Sequence, residues 1–308
     1  MIGTRGVADP RAVVEGARIA ESVGFSHLTI HDHLTPQLAP IPLLTAVAMG
    51  TDRLRLCPLV FNNDLRHPAV LAQDLATLDL VSAGRLVVGI GAGWNEPEYT
   101  AAGITFDPPG VRIERMLEAV TVIRGLFAEG AFSLAGRHYA ITELDGQPKP
   151  AQRPPPFLIG GTRERVLRVA AREADIVGLD LRQDRDSLPD AFPARMDERV
   201  GWVRDAAGAR FEDLDLSVLR LLGKVTITDE PLKAAAMVAR EHEARTGLTI
   251  DPDDVLESPY ALIGSVSGLV DKLRRARERW GINSYLVGWF DDTDVRSLAP
   301  VIEQLAGT

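Results

Sequence analysis

Hydrophobic and polar positions along the chain follow two alternating periods. Segments with apolar residues every three or four positions, the period of a helix with one buried face, are separated by short continuous apolar runs typical of buried strands. The predicted helices cover residues 10–23, 40–50, 67–81, 109–129, 163–173, 191–207, 229–245, 266–280 and 293–306. The predicted strands cover residues 2–7, 27–31, 53–61, 85–90, 156–159, 175–179, part of 214–227, and 283–289.

This alternation of strand and helix continues over the whole chain and is typical of a parallel sheet covered by helices. A count of about eight such units favours an α/β fold of the (β/α)8 TIM-barrel type over an open sheet with a helical cap. The first strand must be short, since only residues 2–7 are available for it. We therefore expect one domain over residues 1–308, interrupted by a hairpin and proline-rich insertion at 130–156 and a charged loop at 180–194.

Composition and charge exclude several classes of function. A net charge of −9 argues against nucleic acid as a partner, because binding phosphates along a strand requires a basic face. No apolar run has the length of a membrane span and the N-terminus lacks the layout of a signal peptide, so we expect a cytoplasmic protein with no membrane partner. The single cysteine, Cys57, stands in an apolar run and is predicted to be buried.

The stretch His31-Asp32-His33 places two imidazoles and a carboxylate at the end of a predicted strand. A His-x-His pair could belong to a metal site, but such a site needs further ligands from other strand ends. The remaining histidines do not follow strands; they are His27, His67, His138 and His242. We therefore expect no bound metal.

Two glycine-containing segments also follow predicted strands. In Gly89-Ile90-Gly91-Ala92-Gly93, the third glycine of a dinucleotide fingerprint is replaced by Trp94. This segment indicates either close approach of a flat ring or phosphate, or a tight turn from strand to helix. In Gly160-Gly161-Thr162-Arg163, free backbone N–H groups, the start of a helix and a guanidinium favour a phosphate site over a plain helix cap.

Several segments together resemble the luciferase-like monooxygenase superfamily, whose members are flavin and deazaflavin TIM barrels of the bacterial-luciferase type. They are GFSHLTIHDHL, RLRLCPLVFNNDLRHPAVLAQDLATLDLVSAGRLVVGIGAGWNEPEY, PFLIGGTRERVLRVAAREAD and SPYALIGSVSGLVDKLRRARERWGINSYLV. The segments FDPPGVRIERM and LDGQPKP are similar to the branch that uses coenzyme F420, a deazaflavin, rather than FMN. The resemblance implies a small-molecule substrate and a homodimer.

The resemblance also implies roles for individual residues. His33 is expected to be the catalytic imidazole at the reactive face of the ring, Asp32 a cofactor contact, and His31 a core or supporting residue. A non-proline cis peptide bond is expected between Leu59 and Val60, behind the ring. Further cofactor contacts are expected from Val60, Asn62, Ala92 and Gly93, with Gly160, Gly161, Thr162 and Arg163 at the phosphate.

One position departs from the sugar-phosphate dehydrogenase branch of the superfamily. That branch carries a glutamate as partner base directly after the glycines, where this chain has Trp94, with Glu96 and Glu98 farther on. The departure argues against paired acid/base machinery, and we expect Trp94 and Glu98 to line an apolar substrate pocket. Trp289 is either part of the same wall or a structural residue.

These observations predict an F420-dependent oxidoreductase that transfers a hydride between the deazaflavin and a small, apolar organic substrate. His33 would donate the proton or orient the reacting group. An FMN-dependent monooxygenase of the same superfamily is the first alternative. A non-catalytic relative that binds a flavin or deazaflavin is the second.

Overall fold

The strands and helices predicted from the sequence are present in a computed structural model, which describes residues 1–3, 9–181, 193–288 and 292–306. The strands are β1 (Ile2–Gly3), β2 (His27–Ile30), β3 (Arg55–Pro58), β4 (Phe61–Asn62), β5 (Val88–Gly91), β6 (Ala131–Ala135), β7 (Ala140–Asp145), β8 (Phe157–Gly161), β9 (Ile176–Leu179), β10 (Asp215–Val218), β11 (Thr226–Ile227), β12 (Ile263–Gly264), β13 (Ile282–Tyr285) and β14 (Val287–Gly288). The α-helices are α1 (Pro10–Val23), α2 (Pro40–Gly50), α3 (Pro68–Val81), α4 (Glu96–Ala102), α5 (Pro109–Phe127), α6 (Glu164–Glu173), α7 (Pro193–Ala207), α8 (Pro231–Thr246), α9 (Pro252–Glu257), α10 (Val266–Trp280), α11 (Asp292–Ser297) and α12 (Ala299–Leu305). The rest of the predicted first strand, most of the predicted loop at 180–194, and Trp289 lie outside the described residues.

The structure divides four predicted elements and adds two helices and the short strand β12. The predicted strand at 283–289 is present as β13 and β14. The predicted strand at 53–61 is split into β3 and β4, the strand region within 214–227 into β10 and β11, and the last helix into α11 and α12. The short helices α4 and α9 were not predicted, since six or seven residues contain too few turns to show a helical period.

Contacts within the chain define two compact units. The N-terminal unit contains Thr4–Ser22 and Ser26–Leu158. The C-terminal unit contains Met1–Gly3, Val23–Phe25 and Ile159–Thr308.

The strands of the N-terminal unit pair in parallel, β2 with β3, β4 with β5, and β5 with the first residues of β8. Apolar side chains on these strands and on α2 and α3 form its core; they include Leu28, Leu44, Leu56, Phe61 and Leu75. Cys57 is buried on β3, as predicted, and this burial raises the pKa of its thiol to about 12. The predicted insertion is the antiparallel hairpin of β6 and β7.

The C-terminal unit repeats the parallel arrangement. Strand β10 lies between β9 and β13, β1 pairs with β14, and β11 pairs with β12. Helices α6 and α7 pack against each other, and a cluster of buried apolar residues joins α10 to α12. Within the described part of the chain, no helix combines the length and the apolar character that a membrane span requires.

Local chemistry explains where the helices begin and end. The side chain of His67 caps α3 by accepting from the backbone N–H of Ala69. The hydroxyl of Ser265 caps α10 in the same way. Helix α10 ends at Gly281, whose φ of +73° is a left-handed conformation that favours glycine.

Candidate functional site

The end of β2 is joined to the segment between β3 and β4 through His31. The peptide bond between Leu59 and Val60 is cis, which confirms the prediction at this position. The Nδ1 atom of His31 lies 2.8 Å from the carbonyl oxygen of Leu59, which belongs to that peptide bond. His31 therefore has the supporting role that the sequence predicts.

Two glycines of β5 allow the same segment to approach closely. A Cβ atom at Gly89 would lie 1.8 Å from the carbonyl oxygen of Pro58, and one at Gly91 would lie 2.5 Å from Cγ2 of Val60. Neither distance is compatible with a side chain. The glycines thus make room for the protein's own atoms, the backbone at Pro58 and the side chain of Val60. Close approach of a ring or a phosphate to this segment stays a prediction.

Asp32 is buried and both of its carboxylate oxygens have partners. The backbone N–H of Asn62 donates to Oδ2 at 3.0 Å, and the guanidinium of Arg66 contacts both oxygens. A carboxylate held in this way fixes β4 relative to the end of β2. Direct contact between Asp32 and a cofactor stays a prediction.

His33 is paired with a buried glutamate. Its Nδ1 atom lies 2.9 Å from Oε2 of Glu98, whose side chain is 1% exposed. The amide of Asn95 donates to the same oxygen at 3.1 Å. Because a carboxylate only accepts, it assigns the proton to Nδ1 of the imidazole and leaves Nε2 as the acceptor in the neutral ring.

Two atoms of this pair, Oε1 of Glu98 and Nε2 of His33, have no hydrogen-bond partner among the described residues. Oε1 of Glu98 is inaccessible to solvent, whereas Nε2 of His33 is accessible. A proton acceptor is thus available at an accessible position, supported from behind by a carboxylate. Such an arrangement suits proton transfer to or from a bound molecule.

Trp94 stands where the sugar-phosphate dehydrogenase branch has a glutamate, and the structure places a different carboxylate against the imidazole. The carboxylate comes instead from Glu98, four positions farther on, in the first turn of α4. Trp94 lies beside the same imidazole, edge to face at 5.6 Å between ring centroids, and its side chain is 71% exposed. Trp94 and Glu98, both predicted to line the substrate pocket, therefore both contact His33.

A hydrogen-bonded network surrounds the predicted cofactor contact Asn62. Its Oδ1 atom accepts from the backbone N–H of Asp64 at 3.1 Å and from the hydroxyl of Tyr99 at 2.8 Å. Arg115 binds both oxygens of Asp64 at 2.8 Å. Sequence reasoning missed Asp64, Tyr99 and Arg115, because polar residues outside recognisable motifs carry no signal of mutual contact.

Two other predicted contacts lie next to this network. Gly93 has a φ of +73°, and a Cβ atom there would lie 1.9 Å from the hydroxyl oxygen of Tyr99. Ala92 is half-buried. Ala92, Gly93 and Val60 stay predicted cofactor contacts.

In the C-terminal unit, the predicted phosphate-binding segment consists of the last two residues of β8 and the two residues before α6. A Cβ atom at Gly160 would lie 2.5 Å from Cδ1 of Leu219, and one at Gly161 would lie 2.7 Å from Cγ1 of Val166. A side chain at either position would therefore displace a neighbouring apolar side chain of the unit.

The start of α6 has the features of an anion site. Its N-cap residue is Arg163 rather than Thr162, and the side chain of Arg163 makes no capping hydrogen bond. The guanidinium of Arg163 is exposed and has no partner in the described ranges. A helix N-terminus beside an exposed guanidinium fits a phosphate, and this role stays a prediction.

Comparison with known proteins identifies the family. The sequence profile described as luciferase-like monooxygenase matches residues 1–281. The chain belongs to the luciferase-like monooxygenase family. This membership confirms the resemblance seen in the sequence.

Members of this family that resemble the chain use different coenzymes, according to their names. Over 281 residues, 88% of this chain and 79% of the relative, it is 26% identical to an F420-dependent glucose-6-phosphate dehydrogenase of Beutenbergia cavernae. It is 28% identical over 166 residues to an FMNH2-dependent dimethylsulfone monooxygenase of Pseudomonas putida, covering 52% of this chain and 46% of that protein. With several further curated relatives, the matched segment spans about half of their length.

The fold of this family member is shared with solved structures. The coenzyme F420 dependent tetrahydromethanopterin reductase from Methanopyrus kandleri superimposes with a TM-score of 0.78, at 20% identity, over 98% of both chains. The likeness confirms the predicted fold class, a luciferase-like (β/α)8 fold.

Proposed function

We propose that the protein is an oxidoreductase that uses coenzyme F420 to exchange a hydride with a small organic substrate. The observation that carries this proposal is the pair formed by His33 and the buried Glu98, beside the exposed indole of Trp94. Membership of the luciferase-like family and the F420-dependent relatives support the choice of coenzyme.

The residues near His33 would suit a flat coenzyme ring that carries polar atoms along one edge. Gly93 offers backbone without a side chain, and the amide nitrogen of Asn62 is a donor without a partner among the described residues. When bound, F420 supplies the ring carbon that gives or takes the hydride. Asn62, Ala92, Gly93 and Val60 would hold this ring, with Asp32 acting through its bonds to Asn62 and Arg66.

His33 would move the proton that accompanies the hydride. When an alcohol is oxidised, Nε2 takes the hydroxyl proton; when a carbonyl is reduced, the imidazolium returns it to the new alkoxide. Glu98 holds Nδ1–H and stabilises the imidazolium. Trp94 would form an apolar wall that excludes water from the reacting groups.

Gly160, Gly161, Thr162 and Arg163 would bind a phosphate group at the start of α6. The helix N-terminus and the exposed guanidinium of Arg163 support this assignment. Arg163 would supply the positive charge at this helix terminus.

An FMN-dependent monooxygenase is the second candidate, because the chain also resembles the FMNH2-dependent enzyme of Pseudomonas putida. The same His33 and Glu98 would then serve a reaction with oxygen. A relative that binds the coenzyme without catalysis is the third candidate.

Turnover assays separate these candidates. The protein is supplied either with F420 and a panel of primary and secondary alcohols and their carbonyl products, or with reduced FMN and oxygen. We expect loss or recovery of oxidised-deazaflavin absorbance with F420, without oxygen uptake. An oxygenated organic product formed only with reduced FMN and oxygen, above the uncatalysed oxidation of free reduced FMN, would establish the monooxygenase. Tight coenzyme binding with no exchange across the panel would favour the non-catalytic relative.

We propose in addition that the protein is cytoplasmic and forms a homodimer. Helices α2 and α3 pack on each other and expose large apolar side chains, namely Met49, Val70, Leu80 and Val81. A second copy covering them would remove this apolar surface from water. Light scattering should give twice the chain mass of 33.4 kDa, and a chain-sized particle at micromolar concentration would refute the dimer.

A further inference from the structure

We infer that Tyr99 is a positioning residue that locks the side-chain amide of Asn62, so that Asn62 donates a hydrogen bond to the bound coenzyme. The coenzyme part of this inference rests on the proposed function. The lock itself is a property of the protein alone.

Two donors determine the orientation of the Asn62 amide. The backbone N–H of Asp64, which only donates, lies 3.1 Å from Oδ1, and the hydroxyl of Tyr99 lies 2.8 Å from the same atom. Rotating the amide by half a turn would bring its NH2 group against the N–H of Asp64 and lose that bond. The NH2 group of Asn62 must therefore face the other way.

This NH2 group is free to bind a ligand. It has no hydrogen-bond partner among the described residues, and it is not sealed from solvent in the way that Oε1 of Glu98 is. Asn62 as a whole is nearly buried, at 7% exposure, so it offers a directed donor from a rigid position.

Tyr99 is itself held firmly. It is completely buried, and its ring packs edge to face on Phe106 at 4.9 Å between centroids. Its hydroxyl lies between two acceptors, Oδ1 of Asn62 and Oδ2 of Asp64, the latter at 3.0 Å. Two acceptors require the hydroxyl to keep its proton. Burial raises the pKa of Tyr99, in agreement with a protonated donor.

Gly93 is what allows Tyr99 to reach Asn62. Any Cβ at position 93 would lie 1.9 Å from the Tyr99 hydroxyl oxygen and 2.7 Å from Oδ1 of Asn62. A side chain there would have to displace one or both groups. The third glycine of the segment thus has a role in the lock, in addition to the backbone contact predicted from sequence.

An amide locked with its NH2 group outward recognises a hydrogen-bond acceptor. The ring atom that it contacts must then be a carbonyl oxygen or an unprotonated nitrogen, and not an N–H group. Flavins and deazaflavins carry both kinds of atom on their polar edge, so the orientation selects which one Asn62 faces.

Substitution of Asn62 tests the direction of this hydrogen bond. We expect Asn62→Ala to raise the Kd for F420 by about tenfold, the loss of one well-placed bond. Asn62→Asp should bind more weakly still near neutral pH, since a carboxylate offers an acceptor only. Binding by Asn62→Asp that equals or exceeds that of Asn62→Ala would overturn the assignment. The Kd is read from the intrinsic fluorescence of the deazaflavin.

Tyr99→Phe tests the lock, with Tyr139→Phe as a matched control. The hydroxyl of Tyr139 accepts from the amide of Asn63 at 3.2 Å and has no bond to Asn62. Tyr99→Phe should raise the coenzyme Kd by about threefold to tenfold through loss of orientation, and Tyr139→Phe should leave it unchanged. Equal effects of the two variants would overturn the positioning role.

A measurement without coenzyme separates the lock from the proposed function. The chain has four asparagines, so isotope-labelled asparagine gives few side-chain amide signals to assign by NMR. Tyr99→Phe should move the Asn62 amide signal and Tyr139→Phe that of Asn63. An Asn62 amide signal whose chemical shift is unchanged in Tyr99→Phe would refute the positioning role of Tyr99. Failure of the unmodified protein to bind F420 would refute the proposed function and the coenzyme contact, whatever the amide signals show.

Discussion

At the scale of single residues, the proposed chemistry depends on an imidazole whose two nitrogens have different surroundings. Nδ1 of His33 is bound to the buried carboxylate of Glu98, whereas Nε2 is accessible and without a partner in the described ranges. The carboxylate fixes the tautomer and the ring orientation, so only one nitrogen is left to exchange protons with a ligand.

Removing the imidazole should slow turnover and spare coenzyme binding. We expect His33→Ala to lower kcat by about 10²–10⁴-fold, because proton transfer loses its donor and acceptor, while the Kd for F420 stays within about twofold. Glu98→Gln should lower kcat by a smaller factor, since the amide can still accept from Nδ1 but no longer balances the imidazolium. Steady-state kinetics and fluorescence titration measure both quantities.

Glu96→Gln is the matched control, because Glu96 is exposed in the same turn of α4. Its kinetics should equal those of the unmodified protein. Full activity in Glu98→Gln, or equal losses in the two glutamate variants, would contradict the role of the pair.

The sequence placed His33, Glu98 and Asn62 in one candidate site, but it did not show how they pair. Glu98 meets His33 because α4 carries it back to the end of β2, and α4 is a seven-residue helix without a readable period. The contacts of Tyr99 are likewise set by the close packing at Gly93. Such contacts follow from three-dimensional packing, which a single sequence does not contain.

At the scale of elements, the site depends on how closely β5 lies against the segment between β3 and β4. At Gly89 this approach leaves no room for a side chain. The strand-breaking Pro58 and the alternation of glycines were visible in the sequence. The reason for these glycines was not visible in the sequence, because it is a contact between two strands that are distant along the chain.

Alanine substitution at two glycines tests this packing. In Gly89→Ala the new Cβ would lie 1.8 Å from the carbonyl oxygen of Pro58, so we expect a loss of about 3 kcal/mol in the free energy of unfolding. Gly201 on α7 is the control, because a Cβ there meets no atom within 4 Å. Gly201→Ala should stabilise the protein by about 0.5–1 kcal/mol. Similar urea midpoints for the two variants would contradict the packing argument.

At the scale of the whole molecule, repeated strand–helix units predicted the fold class correctly, since each helix or strand of ordinary length leaves its own period in the sequence. The net charge and the absence of a long apolar run led us to expect neither nucleic acid nor a membrane as a partner. The choice of coenzyme came from the resemblance alone, because the pattern of apolar residues carries no information about which ring is bound.

Stability should depend on pH through a desolvated histidine. Burial lowers the pKa of His27, at the start of β2, from 6.5 to about 3. Between these values the unfolded chain binds a proton that the folded protein does not, so stability decreases as the pH falls through this window. The slope contributed by one such group is at most about 1.4 kcal/mol per pH unit.

His27→Gln should therefore flatten the dependence of the unfolding free energy on pH between about 6.5 and 3. His67→Asn, which keeps a side chain able to cap α3, serves as the control and should retain the slope of the unmodified protein. Denaturant unfolding at several pH values gives the comparison. Parallel curves for His27→Gln and the unmodified protein would show that His27 is solvated in the folded state.

Coenzyme choice is tested most directly by titrating the purified protein with F420 and, separately, with FMN under the same conditions. Absorbance and fluorescence of each coenzyme report its binding. We predict saturable binding of F420 at micromolar concentration and binding of FMN that is weaker by at least about tenfold, a difference of 1.4 kcal/mol. Preferential binding of FMN, or no binding of F420, would contradict the account.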